Sequence, residues 1–175
     1  MMERFSGIGF SSIVEIPVSD IPFDTSLREM CEMNRCGCYG KNYGCPPHIG
    51  DVQTLIEKAQ SYKKAIVFQS IYKLEDSFDI EGMNKGHDDF NKKTGEVKML
   101  CNRILPDALV LGAGGCKICK VCGAVDNIPC RYPERFVASL ESYSIFVSAL
   151  AEVCGMKYIN GVNTVTYFGA ILYND

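Results

Sequence analysis

The stretch that decides the fold is residues 108–122, ALVLGAGGCKICKVC. Its first half is a short continuous apolar run, which predicts a buried strand in the interior of a sheet. Its second half places Cys116, Cys119 and Cys122 at two-residue spacing directly after that strand. Because α/β proteins bind ligands where the strands of the sheet end, we expect a functional site at this edge.

The three closely spaced cysteines and Cys130 form a predicted metal site. Bacterial ferredoxins hold a [4Fe–4S] cluster with a C-x2-C-x2-C run, in which a turning backbone aims three sulfurs at one cluster. The last gap here is seven residues, where the ferredoxin run has three. Zn²⁺ also takes four thiolates, but zinc loops usually offer two separated C-x2-C pairs. The spacing therefore favours an iron–sulfur centre, with zinc as the alternative.

A second cysteine group lies in residues 31–47 and consists of Cys31, Cys36, Cys38 and Cys45. Its glycines permit backbone turns, and a proline follows the last cysteine, as in ferredoxin runs. The C-x4-C-x-C-x6-C spacing matches no common zinc motif. We therefore expect a second metal or cluster site. Which of the four cysteines are ligands stays open, because Cys36 and Cys38 would alternate along an extended backbone.

Composition points to a folded protein without nucleic-acid or membrane partners. The 175 residues carry 18 basic and 21 acidic side chains, a net charge of −3, which argues against a nucleic-acid-binding surface. No apolar run is long enough to span a membrane, and residues 1–4 lead into no signal sequence, so we expect a cytoplasmic protein. Ten cysteines in a reducing compartment indicate metal or redox use, not disulfides. Cys101 and Cys154, outside both groups, are predicted to be core thiols.

The alternation of strands and helices predicts one compact α/β domain over residues 1–175, with a mixed central sheet flanked by helices. The cysteine-rich loops, 31–47 and 114–133, are expected at its surface. Strands are predicted at 12–18, 65–72 and 108–113, followed by a β-hairpin within 158–173. Helices are predicted after residue 26, at 50–61, at 88–105 with an interruption at residues 94–95, and at 133–153, whereas residues 75–86 are expected to be irregular.

Basic residues accompany the 114–133 loop. Lys117, Lys120 and Arg131 are predicted cofactor-binding residues, because positive charge stabilises a cluster that carries net negative charge. Solvation of a surface loop is the alternative for the two lysines. Arg131 is the stronger candidate for a fixed role, since it stands between Cys130 and Tyr132-Pro133.

Three other ionisable residues are candidate members of the site. His48, which follows Cys45-Pro46-Pro47, is expected to face solvent, with a role as ligand or proton donor as the alternative. His87 is predicted to be a surface residue at a helix start. Glu141, on the 133–153 helix, is expected to be a solvated carboxylate, with a role facing the cluster as an acid or hydrogen-bond acceptor as the alternative.

The cysteine motifs resemble a prokaryotic family of predicted metal-binding proteins, the domain of unknown function 2284. The resemblance rests on CGCYG at 36–40 with CPP at 45–47, on GAGGC at 112–116 with its two following cysteines, and on PCRYP at 129–133. It continues into SLESY at 139–143 and covers most of the chain. The resemblance implies metal or iron–sulfur binding through these cysteines, and it brings no established reaction.

Three functions are compatible with these patterns. The favoured one is an electron carrier or redox subunit that holds one or two [4Fe–4S] clusters and exchanges electrons with a redox partner protein. The second is an enzyme in which an open iron or zinc position binds substrate or water. The third is a zinc-stabilised interaction module without a redox role.

Overall fold

Five strands form one mixed sheet in the order β1-β2-β5-β3-β4. The computed structural model describes residues 1–174, and its strands are β1 Ser12–Pro17, β2 Lys64–Lys73, β3 Leu109–Gly112, β4 Ala138–Ser139 and β5 Thr164–Tyr173. The first four strands in this order pair antiparallel, and β4 runs parallel to β3. The predicted mixed central sheet is confirmed, and Pro17 ends the edge strand β1, where a missing N–H is tolerated.

Both faces of the sheet are buried, as the apolar runs of the inner strands require. Along β2, Ala65 and Val67 belong to one hydrophobic cluster, whereas Ile66 and Phe68 belong to the other. The chain therefore forms three layers, with the sheet between two sets of apolar side chains.

Five helices flank this sheet: α1 Glu3–Ser6, α2 Leu27–Glu32, α3 Val52–Gln60, α4 Ile80–Ile104 and α5 Val147–Val153. The helices predicted after residue 26 and at 50–61 are confirmed. The Asp51 carboxylate begins α3 by accepting a hydrogen bond from the Thr54 N–H at 3.0 Å. None of the helices described within residues 1–174 is both long and apolar enough to cross a bilayer.

Helix α4 is longer than predicted and has no interruption. It spans 25 residues, about 37 Å, and begins where the Asp79 carboxylate accepts a hydrogen bond from the Gly82 N–H at 2.7 Å. The predicted irregular segment 75–86 is therefore helical from Ile80 onwards. The predicted break at residues 94–95 is absent, because the Thr94 hydroxyl bonds back to the Phe90 carbonyl at 2.8 Å and leaves the helix intact.

Residues 133–153 do not form the single helix that their apolar periodicity predicted. They contain a 3-10 turn at Pro133–Arg135, strand β4, a second 3-10 turn at Glu141–Tyr143 and the short helix α5. Ser144 breaks the helical path with a φ of 56°. Pairing of β4 with β3, which sequence periodicity does not report, decides the conformation here.

The predicted final hairpin is also wrong, since β5 is one ten-residue strand that pairs with β2 over its whole length. Gly169, a predicted turn residue, lies opposite Phe68 in this ladder. A Cβ atom at position 169 would lie 2.5 Å from the Phe68 ring and 2.8 Å from the Leu111 carbonyl oxygen. The glycine therefore makes room for an aromatic ring in the core.

Candidate metal centre

The central strand β3 delivers the 114–133 loop to the edge of the sheet. After β3 ends at Gly112, the chain turns at Gly114, whose φ is +69°. A Cβ atom there would also lie 2.9 Å from the His87 ring nitrogen Nε2. Both the backbone conformation and the close approach of α4 therefore require glycine, and the chain then leads directly into Cys116.

The cysteines of this loop, Cys116, Cys119, Cys122 and Cys130, are named here the loop thiols. All four are half-buried, and all four line one small cavity. The remaining walls are largely apolar and aromatic: Tyr43, Ile118, Tyr132 and Phe136. The four predicted ligands of the primary site thus face a common space.

The seven-residue gap before Cys130 is a compact turn. A 3-10 turn begins at Gly123, Asn127 takes a left-handed φ of 55°, and the Ile128 N–H donates to the Gly123 carbonyl at 3.0 Å. A Cβ atom at Gly123 would lie 2.6 Å from the Ile128 carbonyl oxygen. The returning chain therefore passes directly against Gly123, which brings Cys130 back to the other three thiols.

The electrostatics of the loop thiols favour a cation among them. Burial raises the pKa of the Cys116 thiol, and the neighbouring thiols of Cys122, Cys130 and Cys119 raise it further. The Ile118 backbone N–H opposes both effects by donating to the sulfur. Burial and the neighbouring thiols thus favour the protonated form of Cys116, so metal binding through this sulfur releases a proton.

The other cysteine group, Cys31, Cys36, Cys38 and Cys45, is named here the amino-terminal thiols. Helix α2 carries Cys31, and the Arg28 side chain fastens that helix to the Ser142 carbonyl at 3.4 Å. The chain then turns at Gly37, whose φ is +71°. This turn removes the strand-like alternation that was expected to separate Cys36 from Cys38.

Buried Asn42 organises the end of this loop. Its side-chain amide donates to the Cys45 sulfur at 3.4 Å, and its carbonyl oxygen accepts from the Gly44 N–H at 2.9 Å. The pKa of Cys45 is raised to about 11, chiefly by burial. The Asn42 hydrogen bond opposes this rise, and the charges of Cys38, Cys36 and Cys31 add to it. Because charges act strongly only at short range, the four amino-terminal thiols lie close together.

Gly115 connects the two thiol groups. A Cβ atom at this position would lie 3.3 Å from the Cys38 sulfur and 3.4 Å from the Cys45 sulfur. The next residue, Cys116, is a loop thiol, and consecutive Cα atoms are about 3.8 Å apart. The Tyr43 hydroxyl adds a second link by donating to the Ile128 carbonyl at 2.7 Å. The two groups of thiols are therefore neighbours, with Gly115 between them.

Neither group is contracted around a single ion. Within residues 1–174, no three histidine, cysteine or acidic side chains lie close enough together to hold one metal ion. Four thiolates on one Zn²⁺, with Zn–S bonds of 2.3 Å, would have their sulfurs about 3.8 Å apart. A polynuclear centre binds each thiolate to a different iron and needs a wider set of sulfurs around a void. The four sulfurs that line the cavity are a donor set that either kind of centre takes.

Comparison with known proteins supports a metal-binding role. The family described as "Predicted metal-binding protein (DUF2284)" matches residues 14–173. The chain belongs to this family. The match spans both thiol groups and nearly the whole sheet, so the metal-binding description applies to the complete fold and not to one loop. No curated protein and no solved structure matches the chain.

In this DUF2284 protein the three predicted basic residues have different surroundings. The Lys117 ammonium lies 3.0 Å from the His87 nitrogen Nδ1 and 3.5 Å from the Asp88 carboxylate. Burial raises the pKa of Cys38, and the charge of Lys117 opposes that effect. Arg131 donates to the Val121 carbonyl at 3.0 Å and so braces the loop that bears the thiols. Lys120 is exposed.

The expectations for His48, His87 and Glu141 are revised. His48 is half-buried, with Nε2 3.3 Å from the Gly40 carbonyl oxygen. His87 lies within α4 and not at its start, and its Nε2 is 3.0 Å from the Ala113 carbonyl oxygen. Burial lowers the pKa of His87, and the Ala113 hydrogen bond raises it.

Glu141 lies in a 3-10 turn and not on a helix. Its side chain is exposed to solvent on one side, yet desolvation by the surrounding protein raises its pKa. Three hydrogen bonds to the carboxylate, from its own N–H, the Ser139 hydroxyl and the Gly114 N–H, oppose that rise. Its charge raises the pKa of Cys31, so it lies near the amino-terminal thiols. Apolar periodicity placed Glu141 on a helix because periodicity contains no information about the pairing of β4 with β3. The short distance in sequence between Glu141 and the PCRYP motif indicated that this residue could lie near the site.

Proposed function

We propose that this chain is an iron–sulfur protein that carries single electrons to and from a redox partner protein. The loop thiols would hold one [4Fe–4S] centre, and the amino-terminal thiols would hold a second. Such a centre supplies one-electron transfer when it is bound. The family description supports the coarser claim of metal binding, and the C-x2-C-x2-C spacing of the loop thiols favours iron–sulfur over zinc.

One observation carries the proposal: four thiols at ferredoxin-like spacing line a single small cavity. Zinc loops usually offer two separated C-x2-C pairs, whereas this loop carries one C-x2-C-x2-C run. Tyr43, Ile118 and Phe136 line the same cavity, and hydrogen bonds to sulfur and solvent exposure would set the potential of the centre.

The position of Gly115 between the two groups of thiols supports electron transfer between the two centres. The amino-terminal thiols Cys38 and Cys45 approach Gly115, and the loop thiol Cys116 is the next residue. Two N–H groups that donate to sulfur, one from the Asn42 side chain and one from the Ile118 backbone, would stabilise the reduced forms. Among the described residues one such donor acts on each group, so the reduction potential of each centre would be adjusted separately.

The exposed part of the 114–133 loop is the side on which a redox partner would dock. Val121 and Val125 expose half or more of their side chains beside the loop thiols. Lys120 and Arg131 flank them, so the partner is expected to present an acidic rim around an apolar contact.

The test is a pair of serine variants purified without oxygen. The wild-type protein should be brown, with about eight irons and eight sulfides per chain, and Cys119→Ser should keep about four of each. Cys101→Ser is the matched control, because Cys101 is a buried core thiol outside both groups and should keep all of them. Colourless protein with stoichiometric zinc would contradict the proposal and support the interaction module.

A further inference from the structure

A cleft of about 760 Å³ lies next to the loop thiols, between α4 and the segment that follows β3. This volume is within the range of small-molecule sites, about 300–1,000 Å³. Its interior is mostly apolar, and Ile8, Leu100, Ala113 and Val137 contribute to it. Nothing in the proposed electron-carrier role requires a cleft of this size.

The rim of the cleft is positively charged in a chain whose net charge is −3. The lining includes four basic residues, Lys92, Arg103, Lys117 and Arg135, and two acidic residues, Asp88 and Glu96. Asp88 is paired with Lys117. Among the described residues, Lys92 and Arg103 have no ion-pair or hydrogen-bond partner. The lining therefore carries two more basic than acidic side chains, which favours an anionic occupant.

Gly95 keeps the cleft open. It lies in the interior of α4, where glycine costs about 1 kcal/mol relative to alanine. Its φ is not positive, and an added Cβ atom would meet nothing within 4 Å. Neither backbone conformation nor packing therefore requires glycine here. What the missing side chain provides is space, and Gly95 lines the cleft.

The cleft also adjoins the proposed metal centre. Cys116 and Ile118 line both the cleft and the cavity of the loop thiols. A molecule in the cleft would therefore be separated from that cavity by the width of one stretch of backbone and its side chains.

We propose that this cleft binds a small organic anion with an apolar body, its carboxylate or phosphate held by Arg103 and Lys92. The apolar part would lie along the floor beside Gly95. The binding itself is independent of which metal the thiols hold.

Binding is tested by calorimetry on the anaerobically purified protein with octanoate, octyl phosphate and neutral octanol. Both anions, or one of them, should bind at least roughly tenfold more tightly than octanol, since a charge-assisted contact is lost with the neutral probe. The two anions distinguish a carboxylate from a phosphate ligand. Failure of both anions to bind, or equal binding of octanol, would overturn the proposal.

Two variants locate the binding. Gly95→Leu should weaken binding of the anion at least roughly tenfold by filling the cleft, and Arg103→Gln should weaken the anion but not octanol. Lys85→Leu and Lys85→Gln are matched controls on the same helix, because this side chain is 76% exposed and outside the cleft. Unchanged anion binding in Gly95→Leu would overturn the proposal.

Iron content separates this inference from the proposed function. Gly95→Leu should keep the wild-type iron and sulfide, because position 95 contacts none of the thiols. If the protein held zinc but Gly95→Leu still abolished anion binding, the cleft would stand and the electron-carrier proposal would fall. If iron were present but anions did not bind, the electron-carrier proposal would stand and the proposal for the cleft would fall.

Discussion

Substituting Gly115 by alanine should weaken the amino-terminal centre and spare the centre at the loop thiols. The new Cβ atom would lie 3.0 Å from the Asn42 amide nitrogen, 3.3 Å from the Cys38 sulfur and 3.4 Å from the Cys45 sulfur. Ordinary van der Waals contact begins near 3.4 Å, so the neighbours must move by a few tenths of an ångström. Metal–ligand distances tolerate only about 0.2 Å. The shift therefore matches or exceeds the tolerance of the site.

A displacement of this size should cost roughly ten- to hundredfold in metal affinity, as loss of supporting contacts does at other metal sites. The assay is anaerobic titration with an iron chelator, followed by the iron absorbance and by EPR of the reduced protein. About four irons should leave Gly115→Ala at roughly ten- to hundredfold lower chelator concentration than in wild type, and the other four should behave as in wild type.

Gly95→Ala is the matched control, because the same methyl group is added in open space. It should release iron as the wild type does. If Gly115→Ala also released its iron as the wild type does, the proximity of Gly115 to the amino-terminal thiols would have no role in the site. Equal weakening of all eight irons would contradict the separation into two centres.

The remaining predictions concern stability and thiol reactivity. Gly169→Ala puts a methyl group 2.5 Å from the ring of buried Phe68. This overpacking should lower the free energy of unfolding by about 1–3 kcal/mol, measured by urea titration of the metal-loaded protein. An unchanged midpoint of the titration would refute the close packing of Gly169 against Phe68. Cys101 and Cys154 are buried, and burial raises the pKa of each to about 11, so iodoacetamide at pH 8 should label these two last in the metal-free protein, as read by mass spectrometry. Cys45, whose pKa is raised as far but whose side chain is only half-buried, should react before them. Uniform labelling would be the contrary result. Removing the metal should expose both cysteine loops to proteolysis before the sheet, whereas simultaneous cleavage would contradict a sheet that folds without metal.

The part of the fold that local sequence dictates was predictable. The apolar run 109–112 forms the inner strand β3 and leads straight into Cys116, as its composition indicates. Helix α3 follows from its apolar spacing and from Asp51 at its start. Cys101 and Cys154 are buried, as expected of thiols on apolar helix faces.

The errors at Gly169 and in residues 133–153 have a common physical cause, which is pairing between segments distant in sequence. Gly169 resembles a turn residue until Phe68 is placed opposite it. Residues 133–153 have a helical period, but Ala138–Ser139 pairs with β3 and the Ser139 hydroxyl accepts from the Ser142 N–H at 3.1 Å. Periodicity contains no information about either partner.

The grouping of the loop thiols around one cavity was predictable, but the surroundings of these thiols were not. Spacing alone indicated the loop thiols. The contacts of Gly115 with Cys38 and Cys45, and the cleft beside Cys116, arise only when the two loops meet at the end of β3. Asn42 carried no motif of its own, although its place three residues before Cys45 put it within reach of that sulfur.

The measurement that tests the central claim most directly is Mössbauer spectroscopy of protein expressed with ⁵⁷Fe and purified without oxygen, with iron and sulfide counted on the same sample. Two [4Fe–4S] centres predict about eight irons and eight sulfides per chain, all in spectra of clustered iron with sulfur ligands. Iron in mononuclear sites, or full thiolate occupancy by zinc, would contradict the account.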